Sequence, residues 1–92
     1  MKSTRIEVAG QVADSLRSLA PEPRRGLKLA IKGLAEDKGD VKTLTGELSG
    51  FSRLRVGRYR VIFRSLVENG VQLIRCDYAD DRAVVYDRFR PE

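Results

Sequence analysis

The sequence contains no histidine, and this absence removes several kinds of chemistry at once. Histidine is the commonest general base, the commonest zinc ligand and the side chain that titrates nearest neutral pH. A Ser-His-Asp hydrolase site is therefore excluded. The patterns G-x-x-x-x-G-K, G-x-G-x-x-G and C-x-x-C are also missing, so nothing indicates a P-loop, a dinucleotide site or a redox dithiol.

Cysteine and long apolar runs are nearly absent as well. Cys76 is the only cysteine, so no internal disulfide can form, and a small buried residue in a reducing compartment is expected. No run approaches the ~20 apolar residues that a membrane span requires, and the N-terminus lacks a signal-peptide core. We therefore expect a cytoplasmic protein with no membrane partner.

The length and charge of the chain limit its class further. Its 92 residues predict a single domain over 1–92, and 41% hydrophobic with 34% charged residues indicates a globular chain. The formal net charge is +5. This charge favours a nucleic acid or an acidic protein as the partner, without choosing between them.

The spacing of apolar residues predicts an α+β fold in the order β-α-α-β-β-β-β, with two N-terminal helices packed on one face of an antiparallel sheet. The other face of the sheet is expected to be exposed. Asn69-Gly70 predicts a tight hairpin turn. The predicted helices are 11–20 and a second one between Pro21 and Lys38, with Gly39 after its end; the predicted strands are 2–9, two within 51–64, 71–78 and 83–86, and 40–50 is a loop.

Arginine dominates one face of the two strands predicted within 51–64. Side chains alternate there, and the hairpin brings opposed positions within about 5 Å of each other, so several guanidinium groups can converge on one phosphate. A solvated face, or a face for an acidic protein partner, is an alternative explanation. The arginines are Arg53, Arg55, Arg58, Arg60 and Arg64, with no acidic residue among them.

Two further groups near the C-terminus have possible chemistry. Arg82 and Tyr86 enter and close the predicted last strand, where a tyrosine beside a cation can stack on a base or move a proton. Packing at the edge of the core is the alternative for Tyr86. Asp77, Asp80 and Asp81 are candidate Mg²⁺ or Ca²⁺ ligands, but their spacing is not that of an EF-hand, and a turn explains the last two. We predict no metal and no cofactor.

The motifs together resemble the RelE/ParE superfamily of toxins from type II toxin–antitoxin pairs, and the chain is closer to the RelE branch. The likeness covers essentially the whole chain, and the R-V-G-x-Y-R core is its most specific part. The matching pieces are Leu44-Thr45-Gly46, Leu48-Ser49-Gly50-Phe51, the run from Leu54 to Phe63, and the segment Arg82 to Tyr86.

The resemblance implies a metal-independent endoribonuclease that cuts mRNA in the ribosomal A site and uses the RNA 2′-OH as nucleophile. Arg60 then matches the phosphate-stabilising arginine and Tyr86 the C-terminal catalytic tyrosine. Arg82 lies in the basic segment before that tyrosine, and Arg53 or Arg55 occupies the basic position on the preceding strand. The candidate catalytic set is Arg60, Tyr86, Arg82 and Arg55, and the candidate RNA-phosphate ligands are Arg53, Arg58 and Arg64.

The acidic pair Asp80 and Asp81 departs from the family pattern, in which a basic residue or histidine often precedes the position of Arg82. These carboxylates would repel a phosphate unless neighbouring arginines pair with them. Two other functions therefore stay open, a ParE-like toxin directed at DNA gyrase and a catalytically inactive relative that acts only through its antitoxin. All three readings imply a cognate antitoxin protein as partner.

Overall fold

The computed structural model describes residues 4–91. These residues form two long helices, a mixed sheet and a short C-terminal helix, and no helix among them is long and apolar enough to cross a membrane. The elements are β1 Thr4–Val8, α1 Gly10–Ser18, α2 Pro21–Gly33, β2 Asp40–Thr43, β3 Ser52–Val56, β4 Tyr59–Glu68, β5 Val71–Asp81 and α3 Val85–Arg88, with 3-10 turns at Leu34–Glu36 and Gly46–Leu48.

The sheet has the strand order β1-β5-β4-β3-β2. Strands β3, β4 and β5 pair antiparallel, as predicted, and β2 pairs antiparallel with β3, whereas β1 runs parallel to β5. Parallel pairing requires a long connection between strands, and residues 9–70, which lie between β1 and β5, form that connection. The Asn69-Gly70 hairpin is confirmed, since both residues have the positive φ angles, 52° and 77°, that a type I′ turn requires.

The sequence prediction was wrong about two strand positions. Asp40–Thr43, predicted as loop, is the edge strand β2, and all four residues are exposed, so no apolar alternation marks it. The segment 83–86, predicted as the last strand, is a turn followed by α3. The Asp81 side chain causes this turn, because its Oδ1 accepts the Ala83 N–H at 2.8 Å and its backbone carbonyl accepts the Val84 N–H at 3.1 Å.

The ends of the other predicted elements also shift. Residues 2 and 3 of the predicted first strand lie outside the described residues. Helix α2 ends at Gly33, before the predicted end at Lys38. The residue in the left-handed conformation that terminates the helical stretch is Asp37, with φ 57°, and the Lys38 N–H returns to the Gly33 carbonyl at 3.0 Å.

The main core lies between the two long helices and one face of the sheet. The predicted apolar faces of both helices are confirmed, because their i, i+3, i+4 positions are the ones that the sheet covers. The buried members are Val12, Leu16, Leu27, Ile31 and Leu34 from the helical side and Leu54, Val61, Phe63, Ile74, Cys76 and Ala79 from the sheet.

A second, smaller core covers part of the opposite face, which the sequence analysis expected to be exposed. Val85 and Phe89, in and just after α3, pack on Ile62 of β4. Leu44, Leu48, Phe51 and Tyr78 surround them. Strand β4 is therefore buried on both faces at Val61-Ile62-Phe63, and the arginines share their face with an apolar cluster.

The side chain of Gln11 completes the sheet where β1 ends. The parallel pairing of β1 with β5 stops at Val8 and Cys76, so the backbone of Ala79 would otherwise have a free edge. Gln11 Oε1 accepts the Ala79 N–H at 2.8 Å, and Gln11 Nε2 donates to the Ala79 carbonyl at 2.7 Å. Ser15 Oγ donates to the same carbonyl at 3.1 Å. Helix α1 thus fixes the end of β5, next to Asp80 and Asp81.

Candidate nucleic-acid interface

A row of four charged residues crosses the second face of the sheet. Asp40 lies opposite Arg55, Arg55 lies opposite Arg60, and Arg60 lies opposite Asp80. We call these four residues the charged row. Two arginines therefore stand side by side at its centre, with one aspartate at each end. Opposed positions on neighbouring strands have Cβ atoms about 5 Å apart, close enough for both guanidinium groups to contact one phosphate.

Of the two arginines in the charged row, Arg55 forms an ion pair within the described part of the chain and Arg60 does not. Its Nη1 donates to the carbonyls of Gly57 and Tyr59, both at 3.0 Å. None of the ion pairs within residues 4–91 includes Arg60. These two bonds hold the guanidinium beside the β3–β4 turn and involve neutral acceptors only, so they leave it without an ion pair among the described residues. An anion at this turn would be the counter-charge.

Arg53 and Arg55 share Asp40, which belongs to the strand that the sequence analysis missed. Arg53 Nη1 donates to the Asp40 carboxylate at 3.2 Å and to the Asp40 carbonyl at 2.9 Å, and its side chain is only 16% exposed. Arg55 lies 3.8 Å from the same carboxylate and is 54% exposed. Arg53 therefore joins β2 to β3, whereas Arg55 keeps most of its side chain in solvent.

Arg64 has a carboxylate partner of its own. Its Nη2 donates to Asp77 Oδ1 at 3.3 Å; its Nε lies 3.1 Å from Oδ2, but the N–H does not point at that oxygen. The guanidinium also lies over the Phe51 ring, 5.5 Å from its centroid. A bulge between Ile62 and Phe63 on the β4–β5 ladder turns Asp77 toward this face. Arg64 therefore belongs to the packing around the second core.

Arg58 and Arg82 meet at the turn that ends β5. Arg58 Nε donates to Asp81 Oδ2 at 3.2 Å, and the Arg82 N–H donates to the Arg58 carbonyl at 2.7 Å. The N–H of Ala83 is the main reason that the pKa of Asp81 is lowered, and Arg58 adds to the effect. Both arginine side chains remain exposed. This turn adds two cations beside Arg60.

Tyr86 lies in the first turn of α3 and is 43% exposed. It lines an open groove of about 600 Å³. Arg60 is not among the residues of this groove, so the structure places Tyr86 toward the Gly46–Leu48 turn and the C-terminus. The groove residues are Glu47, Leu48, Tyr86, Phe89, Arg90 and Pro91.

Three solved structures have the same arrangement of helices and strands. A chain of the toxin–antitoxin complex RelBE2 from Mycobacterium tuberculosis has a TM-score of 0.71 at 22% identity, over 87% of this chain and 99% of that chain. A chain of the RelB-RelE complex from Methanococcus jannaschii has a TM-score of 0.63 at 24% identity, over 91% and 99%. A chain of the RelE-RelB complex from Pyrococcus horikoshii has a TM-score of 0.62 at 26% identity, over 87% and 96%.

The chain has a RelE-like fold. The resemblance seen in the sequence motifs is therefore confirmed for the fold, including its α+β class with two N-terminal helices on the sheet. No protein-family model matches the sequence, and no curated protein is significantly similar to it.

The acidic pair that departs from the RelE pattern is compensated within this RelE-like fold. Asp81 pairs with Arg58, as described above. Asp80 Oδ2 accepts the Tyr78 hydroxyl at 3.0 Å and lies 3.5 Å from Arg88 Nη1. Burial, and then the bond to Asp80, raise the pKa of Tyr78. The condition stated from the sequence, that arginines must pair with these carboxylates, is met.

Arg88 is a residue of this surface that the sequence reasoning missed. It lies beyond the predicted last strand, 83–86, and helix α3 carries it to Asp80. Spacing along the chain gave no signal for this contact, because it depends on the turn at Asp81. Asp77, Asp80 and Asp81 each have different cationic partners, and residues 4–91 contain no group of three acidic or sulfur side chains suited to a metal ion.

Proposed function

We propose that this chain is the toxin of a type II toxin–antitoxin pair and that it cuts mRNA on the ribosome without a metal ion. The observation that carries the proposal is the pair Arg55 and Arg60 at the centre of the charged row, with Arg60 free of any carboxylate partner within residues 4–91. The RelE-like fold supports it. The proposal treats residues 1–92 as one toxin domain that acts in the cytoplasm.

The chemistry proposed for the site requires little from the protein beyond position and charge. The RNA 2′-OH loses its proton and attacks the adjacent phosphorus, the new O2′–P bond forms, and the P–O5′ bond breaks as a proton passes to O5′. Arg60 and Arg55 would stabilise the charge added to the phosphate, which is the kind of contribution that most lowers such a barrier. Arg82 would contact the same phosphate from the turn, and Tyr86 would move a proton.

The test is primer extension on a defined mRNA, with and without translating ribosomes. We expect cuts at A-site codons only when ribosomes are present. Arg60→Ala should lower cleavage by about 10²- to 10³-fold, the usual loss on removing one oxyanion-stabilising group. Tyr86→Phe should also reduce cleavage strongly. The matched control is Arg25→Ala, which removes the same charge from an exposed position on α2.

Each variant must retain its thermal unfolding transition, so that a loss of cleavage is not a loss of fold. An intact message with folded wild-type protein and ribosomes would reject the nuclease. DNA-damage signalling on expression would then indicate a gyrase-directed toxin, and the absence of growth arrest would indicate an inactive relative.

We propose a cognate antitoxin as the protein partner. The similar chains were solved as complexes of RelE with RelB, and the exposed arginines here would suit an acidic or amphipathic segment that folds on binding. Co-expression with the product of the neighbouring gene should yield a complex that suppresses toxicity. If the two proteins neither co-purify nor neutralise each other, this partner is wrong.

A further inference from the structure

Helix α3 carries Tyr86 but has only four residues, Val85–Arg88. A helix this short has no stability of its own in water, so tertiary contacts must hold it. Val85 is fully buried and Phe89 is 7% exposed, both against Ile62. The Phe89 ring lies between Phe51, at 5.2 Å, and Tyr78, at 5.7 Å. These apolar contacts attach one side of α3 to the sheet but leave the orientation of its polar side to other bonds.

Asp80 supplies the polar attachment. Its Oδ1 accepts the Asp81 N–H at 2.8 Å, which orients the carboxylate. Its Oδ2 is shared by the Tyr78 hydroxyl, at 3.0 Å, and Arg88 Nη1, at 3.5 Å. The Asp80 side chain is only 20% exposed, so the bond from Tyr78 is partly shielded from solvent, whereas Arg88 is 62% exposed and reaches the carboxylate from the solvent side. One carboxylate therefore links the sheet to the last turn of α3.

The same carboxylate ends the charged row. Asp80 lies directly opposite Arg60 on the neighbouring strand. The residue that attaches the helix of Tyr86 is thus the immediate neighbour of the arginine proposed to stabilise the phosphate. A shift of Asp80 would change the position of α3 relative to Arg60.

We infer that Asp80 is a positioning residue, which holds α3, and with it Tyr86, in a fixed position on the sheet at the strand position opposite Arg60. Its effect on cleavage rests on the proposed function, whereas its hold on α3 does not. A purely electrostatic role makes the opposite prediction. If Asp80 only repelled the RNA, removing its charge would tighten RNA binding and speed cleavage.

The hold on α3 is tested by amide hydrogen exchange of the full chain, measured by NMR. The Arg88 and Phe89 amides donate to the carbonyls of Val84 and Val85, at 3.0 and 2.9 Å, and report directly on α3. Asp80→Asn keeps the shape but removes the charge, and we expect both amides to exchange about tenfold faster, the effect of losing one charged hydrogen bond. Asp87→Asn is the control, because it removes a charge from α3 at a residue that is not the partner of Asp80.

A second variant shows whether Arg88 is the partner. Arg88→Ala should speed the exchange of the Phe89 amide to a similar extent, Arg88→Lys should restore part of the protection, and Asp80→Asn with Arg88→Ala should add little to either change. Unchanged exchange in Asp80→Asn, or fully additive effects in the double variant, would overturn the inference.

Cleavage by the same variants separates positioning from repulsion. We expect Asp80→Asn to lower kcat about tenfold with an unchanged or lower KM, since one aligned group is lost while a negative charge is removed. A higher kcat would overturn the inference. If the wild type does not cut mRNA, the proposed function fails, and the exchange experiment still decides whether Asp80 holds α3.

Discussion

Arg55 on β3 and Arg60 on β4 occupy directly opposed positions on neighbouring antiparallel strands. Two like charges in opposed positions repel, so this pair lowers the stability of the free protein. We expect a double-mutant cycle with Arg55→Gln and Arg60→Gln to give an unfavourable coupling of roughly 0.2–1 kcal/mol at low ionic strength. Urea denaturation measures it, and the cycle cancels the bonds that each side chain makes elsewhere. The coupling should shrink as salt is added, and additivity at low salt would contradict it.

An anion that bridges the two arginines should reverse that cost. Inorganic phosphate is the simplest probe, and we expect it to raise the melting temperature of the wild type, since ligands that bind only the native state stabilise it. The effect should be lost when both Arg55 and Arg60 are replaced by glutamine. Arg25→Ala serves as the control for overall charge. An equal shift in wild type and double variant would mean that phosphate binds elsewhere or acts as a general salt.

Gln11 should contribute more to stability than its place in the first turn of α1 suggests. Gln11→Ala leaves the N–H of Ala79 without its partner and the carbonyl with Ser15 alone. Buried backbone groups without partners are costly, so we expect the free energy of unfolding to fall by about 1–3 kcal/mol. Gln72→Ala, at an exposed position of β5, is the matched control. Equal and small losses in both variants would show that solvent replaces the Gln11 bonds.

Tyr78 should titrate above its ordinary pKa because burial and the bond to Asp80 both favour the neutral phenol. A phenol whose pKa is raised on folding adds stability that is fully present below its unfolded pKa and is lost as the pH rises through the folded value. We therefore expect stability to decline in strong alkali. Ultraviolet titration, assigned with Tyr78→Phe, measures the pKa, and Asp80→Asn should lower it. A pKa that does not respond to Asp80→Asn would contradict the contact.

The Cys76 thiol should be unreactive in the native protein. It is fully buried, and burial, followed by the nearby charge of Asp77, raises the pKa of its thiol to about 12. The thiolate is the reactive form, so an aromatic disulfide reagent should not react at mildly alkaline pH until urea unfolds the chain. Rapid reaction under native conditions would show that β5 opens locally.

Apolar periodicity was sufficient to predict most of the fold. The two helices and strands β3, β4 and β5 each bury a regular set of side chains in the main core, which is the property that the sequence pattern reports, although β4 also buries Ile62 on its second face. Strand β2 was not predicted because an exposed edge strand has no buried face. Helix α3 was assigned as a strand because Ala83-Val84-Val85-Tyr86 has strand-like side chains, while the deciding interaction is the bond from the Asp81 carboxylate to the Ala83 N–H.

The sequence could predict the candidate site only where the register of two strands determines which side chains are neighbours. Alternation around Gly57 was enough to place Arg55 and Arg60 together, and the structure has them opposed. The carboxylates that decide which arginines are free come from elsewhere, Asp40 from β2, and Asp77 and Asp81 from β5. Their pairing depends on tertiary neighbours, which local sequence does not report. The catalytic roles of Arg55, Arg60, Arg82 and Tyr86 stay predictions.

The parallel pairing of β1 with β5 has a consequence for the order of events during synthesis. The first strand of the chain finds its only described sheet neighbour in the last one, with Thr4 opposite Gln72 and Val8 opposite Cys76. Contacts so distant in sequence form late, and the ribosome must release β5 before β1 has a place in the sheet. The arginine pair on the β3–β4 hairpin is made earlier than α3. During synthesis, the arginine pair is therefore present before the helix that carries Tyr86.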